Sequence, residues 1–120
     1  MSSEPRHTDP NCIFCKIAAG QIPAKRIFED DEVLVFPDIH PAAPVHLLMV
    51  PKAHFANLDA ALPEHQALLG KMLLLAPRLA REQGAANGFR FVINNGPDGG
   101  QEVYHLHAHV LGGPRPWTRL

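Results

Sequence analysis

Along the chain, short apolar runs alternate with prolines and acidic turns, and each run has the length of one strand or one helix. Arg26-Ile27-Phe28-Glu29 and Val33-Leu34-Val35-Phe36 flank Asp30-Asp31-Glu32, which predicts a β-hairpin ended by Pro37. Val45-His46-Leu47-Leu48-Met49-Val50 is apolar at nearly every position between Pro44 and Pro51, the pattern of a central strand covered on both faces. Over residues 63–83, Leu68, Leu69, Met72, Leu75 and Leu79 recur at helical spacing, with Leu62-Pro63-Glu64 as start and Gly84 as stop. Pro77 lies inside this run, where it costs ~3 kcal/mol, so a bend or two shorter helices are expected. Residues 89–94 predict a further strand, residues 95–100 a glycine-rich turn, and residues 103–111 a final strand. A short apolar helix or turn is expected from Cys12 to Ile17, preceded by a polar, flexible tail over residues 1–11 that carries two prolines. Because helix and strand segregate and the turns are short, the expected architecture is a single α+β domain over residues 12–120 with a largely antiparallel sheet.

Length supports one domain, since 120 residues leave no room for two. With 46% hydrophobic residues there is enough apolar side chain for a core, which argues against a disordered chain. Eleven Lys and Arg against twelve Asp and Glu give a net charge of −1, so no overall field collects nucleic acid or an anionic membrane, and neither is expected as a partner. No apolar run approaches the ~20 residues of a bilayer span and the first residues lack a signal-peptide core, so a cytoplasmic location is expected. The two cysteines, Cys12 and Cys15, are too few for a disulfide framework and suit a metal half-site or a redox pair.

Histidine alters this picture most. Three of the eight histidines fall at His105, His107 and His109. In an extended chain they share one face, while Leu106, Ala108 and Val110 share the other. Two chemistries fit. Neutral imidazoles can hold a catalytic zinc with an open position for water, or one imidazole can attack phosphorus while a neighbour serves the leaving group. The preceding turn, Asn94-Asn95-Gly96-Pro97-Asp98-Gly99-Gly100-Gln101, lets backbone amides approach an anion closely.

The segment His105-Leu106-His107-Ala108-His109-Val110-Leu111 resembles the signature of the histidine triad family. Cys12-Ile13-Phe14-Cys15-Lys16-Ile17, Phe28-Glu29-Asp30-Asp31, Phe36-Pro37-Asp38-Ile39, Pro51-Lys52-Ala53-His54, Gly99-Gly100-Gln101 and Leu111-Gly112-Gly113 are similar to its Hint branch. The resemblance implies a five-stranded antiparallel sheet with one long and one short helix, extended across a homodimer, and the cleavage of purine nucleoside 5′-phosphoramidates to a nucleoside monophosphate (AMP or GMP) and an amine. By resemblance His107 is the nucleophile, His109 meets phosphate and leaving group, and His105 and His46 support them. Asp38 matches the ribose carboxylate. Phe14, Ile17, Ile22, Phe36 and Ile39 match the wall around the purine, and Asn94, Gly100, Gln101, Glu102 and Val103 the phosphate side. Well-studied members of the branch carry a serine just after Gly-Gln, where this chain departs from them with Glu102.

Some bacterial members of the family bind a structural zinc, and the matching residues are Cys12, Cys15, His54 and His105, a Cys₂His₂ set. The resemblance implies no catalytic metal and no organic cofactor. Two other readings compete with a phosphoramidase: a dinucleoside polyphosphate hydrolase, against which Gly112-Gly113 speaks, and an AMP-binding adaptor with vestigial catalysis.

Overall fold

The computed structural model describes residues 8–117. Most of the expected N-terminal tail, residues 1–7, and the last three residues lie outside the described residues. The elements are α1 (Ile13–Ala18), β1 (Phe28–Glu29), β2 (Val33–Pro37), β3 (Val45–Pro51), α2 (Gln66–Glu82), β4 (Phe89–Val92) and β5 (Ala108–Gly112). All five strands pair antiparallel in one sheet of order β1-β2-β3-β5-β4, so the expected α+β architecture with one long and one short helix is the observed one.

Alternation along β2 and β3 divides two cores across the sheet. Val33, Val35, Val45, Leu47 and Met49 face α2, where they bury Met72, Ala76, Leu79 and Ala80 together with Phe55, Leu106, Ala108 and Val110. Leu34, Phe36, Leu48 and Val50 face the other way and pack against Cys12, Phe14, Cys15 and Ile17 of the α1 segment. Every residue of β3 is buried, which explains why this antiparallel strand reads as a continuous apolar run.

Three local expectations are corrected. The long helix begins with a 3-10 turn at Pro63–His65 and then runs as one α-helix through Pro77, not as two. Burial of Met72 and Ala76 before the proline and of Leu79 and Ala80 after it outweighs one missing hydrogen bond. The first hairpin strand contains Phe28 and Glu29 only. The last strand starts at Ala108, so His105 and His107 precede the paired ladder. Their backbone groups are engaged elsewhere: Leu106 donates its N–H to the Phe55 carbonyl at 2.8 Å, and the His105 carbonyl accepts from the His107 ring.

Candidate functional site

The register of β3 against β5 sets Leu48 opposite His109 and Leu111 opposite His46, which makes the two histidines diagonal neighbours on one face. His46 Nδ1 accepts the backbone N–H of Ala42 at 2.9 Å. A nitrogen that accepts carries no proton, so the proton of neutral His46 resides on Nε2, 2.9 Å from His109 Nδ1 and 3.5 Å from an Asp38 oxygen. His109 Nδ1 then accepts, and its own proton resides on Nε2. The chain of donors Ala42, His46 and His109 thus ends in a ring N–H.

The same reasoning assigns the other two imidazoles. A carbonyl can only accept, so His107, whose Nδ1 lies 2.8 Å from the His105 carbonyl, is protonated there and carries its lone pair on Nε2. His105 donates Nε2–H to the Pro51 carbonyl at 2.7 Å and keeps its lone pair on Nδ1. The Phe14 ring meets His107 edge-on at 5.1 Å and His105 at 5.8 Å, shielding both from water. Burial accordingly holds all four imidazoles in the neutral form: desolvation pushes His105 and His109 down to about 4, and lowers His46 and His107 against the opposing pull of Asp38 on both.

His107, His109 and His46 open into a cleft of about 840 Å³. Of the residues singled out in the sequence, Phe14, Asp38, Ile39, Asn94, Gly100, Glu102 and Val103 line it as well. Ile17 and Phe36 are core residues of the same face, with Ile22 packed against them, and they stand behind the wall rather than on it. Gln101 is buried and anchors the loop, donating to the Ala56 and Val103 carbonyls at 2.7 and 3.0 Å and accepting the Gly96 N–H at 2.9 Å. Gly99 of the glycine-rich turn also lines the cleft, whereas sequence reasoning missed His40, Pro41, Ala42 and Leu48, which complete the lining. Ala42 matters most, and its contribution is a backbone amide, which leaves no side-chain signal.

His105 faces away from this cleft, toward Cys12, Cys15 and His54. Its Nδ1 lies 3.3 Å from Cys12 Sγ, 3.6 Å from Cys15 Sγ and 3.1 Å from His54 Nδ1, and Cys15 Sγ is 3.6 Å from His54 Nδ1. In an ideal zinc tetrahedron nitrogen and sulfur stand about 3.6 Å apart and two nitrogens about 3.3 Å apart, so the four donors have the spacing of a shared tetrahedral metal. Backbone N–H groups of Asp9 and Cys15 point at the Cys15 and Cys12 sulfurs, each at 3.4 Å, and the Pro51 carbonyl orients His105 from behind, as outer partners of a metal site do. Without a cation, burial pushes the Cys15 thiol up; a metal at the centre inverts that balance. Because His105 is turned to the cysteines, the three triad histidines do not converge on one metal. Asp38, His46 and His109 form a second close group, but their nitrogens are joined by a hydrogen bond.

Comparison with known proteins agrees with this geometry. Residues 11–118 match a family described as scavenger mRNA decapping enzyme C-term binding. Protein HitA of Neisseria gonorrhoeae is 58% identical over 104 residues, covering 87% of this chain and 97% of that protein. Adenylylsulfatase HINT1 of Arabidopsis thaliana is 46% identical over 108 residues, 88% of this chain and 74% of its own length. Among solved structures, a HIT family hydrolase from Legionella pneumophila superposes with a TM-score of 0.84 at 48% identity, covering 88% of this chain and 95% of that one. A zinc-bound histidine triad family protein from Mycobacterium smegmatis gives 0.76 at 38% identity, covering 85% and 74%. On the triad, the sheet that carries it and these matches, the chain belongs to the histidine triad family.

Proposed function

We propose that the protein is a nucleotide hydrolase that cleaves purine nucleoside 5′-phosphoramidates through a nucleotidyl-histidine intermediate. The observation that carries this reading is the bond from His107 Nδ1–H to the His105 carbonyl, which leaves Nε2 as an unprotonated nucleophile in a ring that burial keeps neutral. His107 Nε2 attacks phosphorus and forms an N–P bond as the P–N bond to the amine breaks. The departing nitrogen takes a proton from His109, which gains a second proton once a phosphate anion beside it raises its proton affinity, so that it donates as an imidazolium and returns to the neutral form. Water then attacks the same phosphorus, its proton goes to His109, and the N–P bond to His107 breaks to release the nucleoside monophosphate.

Asp38 has acceptor capacity left for ribose hydroxyls after taking the His40 N–H at 2.8 Å. Phe14 and Ile39 offer apolar surface for a purine. A relative named adenylylsulfatase supports adenylyl substrates. Cys12, Cys15, His54 and His105 would hold a zinc that ties α1 to the sheet, a reading supported by the donor spacing and by a zinc-bound relative. The free cysteines favour a reducing, cytoplasmic setting. The edge position of β4, with Leu73 and Leu74 of α2 exposed at 54% and 81%, favours a homodimer that joins two sheets.

The test is steady-state hydrolysis of an adenosine 5′-phosphoramidate with an arylalkylamine leaving group, beside diadenosine polyphosphate, by wild type and His107→Ala. Turnover of the phosphoramidate, lost in the variant while AMP still binds, is the expected result. AMP binding without turnover in the wild type would overturn the reading in favour of an adaptor, and preference for the polyphosphate in favour of a dinucleotide hydrolase.

A further inference from the structure

A cleft that binds a phosphoryl anion normally supplies at least one fixed cation. Among the described residues this one supplies none from lysine or arginine: its ionic side chains are the carboxylates of Asp38 and Glu102, set among four histidines, apolar residues and glycines. The anion would therefore be held by imidazole and backbone N–H groups. Asp38 is already engaged in part, with one oxygen on the His40 N–H and the other near His46, and its remaining acceptor capacity is assigned to the ribose in the reading above. Glu102 is different. It is exposed, its carboxylate takes part in no ion pair among the described residues, and it lines the cleft beside Gly99, Gly100 and Val103.

Its backbone is nevertheless fixed. Gln101, on one side, donates its N–H to the Gly96 carbonyl at 3.1 Å, and the Gln101 side chain clasps the Val103 carbonyl on the other at 3.0 Å. A carboxylate is thus held at the rim of a site in which no lysine or arginine among the described residues stands to neutralise it. Beside a bound phosphoryl group such a charge repels substrate, unless the substrate brings a positive charge of its own to that position. The part of a phosphoramidate that can do so is the leaving group, whose nitrogen gains positive charge when it is protonated for P–N cleavage and which can carry a further ammonium of its own.

We infer that Glu102 is a specificity-determining residue of this cleft, selecting nucleoside phosphoramidates whose leaving amine carries a further ammonium and disfavouring leaving groups that depart as anions. The inference rests on the hydrolase reading above. Glu102 acts on charge: it stabilises the leaving nitrogen while the His109 proton is on it and the P–N bond breaks, together with any further ammonium on that group, and it opposes a departing carboxylate, phosphate or sulfate.

The experiment compares kcat/KM for three adenosine 5′-phosphoramidates with amines of equal length ending in an ammonium, a methyl group or a carboxylate, together with adenylyl sulfate, for wild type, Glu102→Gln and Glu102→Ser. The expected wild-type order is cation, neutral, anion, with about three- to tenfold per step at low salt and compression of the series at high salt. Both substitutions should flatten that order, with loss on the cationic substrate and gain on the anionic one. The same order in wild type and Glu102→Gln, or turnover of all three by wild type with no order, overturns the inference and leaves the hydrolase reading standing. No turnover of any of the three by folded wild type defeats the hydrolase reading and this inference with it.

Discussion

His105 and His107 are joined through the backbone: the carbonyl of the first accepts the ring N–H of the second at 2.8 Å, while the His105 imidazole points to Cys12 and Cys15 at 3.3 and 3.6 Å. One residue therefore belongs to two sites, a four-donor cluster on one side and His107, the proposed nucleophile, on the other. Phe14 strengthens the link, because it sits in α1 between the two cysteines and packs on both rings.

If the four-donor cluster holds zinc as proposed, its removal should therefore be felt at His107. Protein purified without chelator is expected to hold one zinc per chain, and Cys15→Ser to lose it. The melting temperature should fall by about 10 °C, since a closed structural site contributes directly to folding. Turnover should decline through kcat more than KM, as the carbonyl that orients His107 loosens. Metal analysis, calorimetry and steady-state kinetics on the same samples check this; an unchanged melting temperature in metal-free protein would sink it.

Acid should destabilise the fold in a definite window. His109 is pushed down to about 4 by burial, reinforced by its neighbours His107 and His46, against 6.5 for an exposed imidazole. The unfolded chain binds the proton first, so stability is flat above pH 7 and is lost as pH falls from about 6.5 toward 4. The loss assigned to this ring between pH 7 and 5 is on the order of 2 kcal/mol. Urea unfolding at the two pH values, for wild type and His109→Asn, measures it, and the variant should lose about that much less.

Gln101→Ala should detach the glycine-rich loop without unfolding the sheet. The change leaves the Ala56 and Val103 carbonyls and the Gly96 amide short of a partner, a cost of about 2 kcal/mol. AMP affinity, read by titration calorimetry, should drop several-fold, because Gly99, Gly100 and Glu102 line the cleft from that loop. Unaltered affinity would show that the loop is held by other contacts.

Two glycine substitutions should have opposite signs. A Cβ on Gly112 would collide with the Ala85 side chain and stand 3.2 Å from the Gly88 carbonyl, so Gly112→Ala should cost about 1–3 kcal/mol. A Cβ on Gly70, inside α2, meets nothing within 4 Å, so Gly70→Ala should stabilise by up to about 1 kcal/mol. Thermal melts of the two variants, measured side by side, decide both.

Local pattern was enough to determine a good part of this protein. The apolar run of β3, the helical spacing from Leu68 to Leu79 and the alternation of His105, His107 and His109 against Leu106, Ala108 and Val110 are consequences of backbone geometry acting over a few residues. The triad and its surrounding motifs could be read at the same level. Features built from distant segments could not. Which imidazole offers a lone pair to the cleft, which offers an N–H and which turns to the cysteines depends on the proton on each ring and the direction it faces. Those protons are set by the carbonyls of His105 and Pro51 and by the amide of Ala42, groups common to every residue type and brought near only by folding. The end of the β5 ladder at Ala108 and the passage of α2 through Pro77 were likewise decided by tertiary contacts, a carbonyl of Phe55 in one case and a buried helical face in the other. Sequence specifies side chains and their period; the roles of these four histidines follow from which backbone groups the fold places against them.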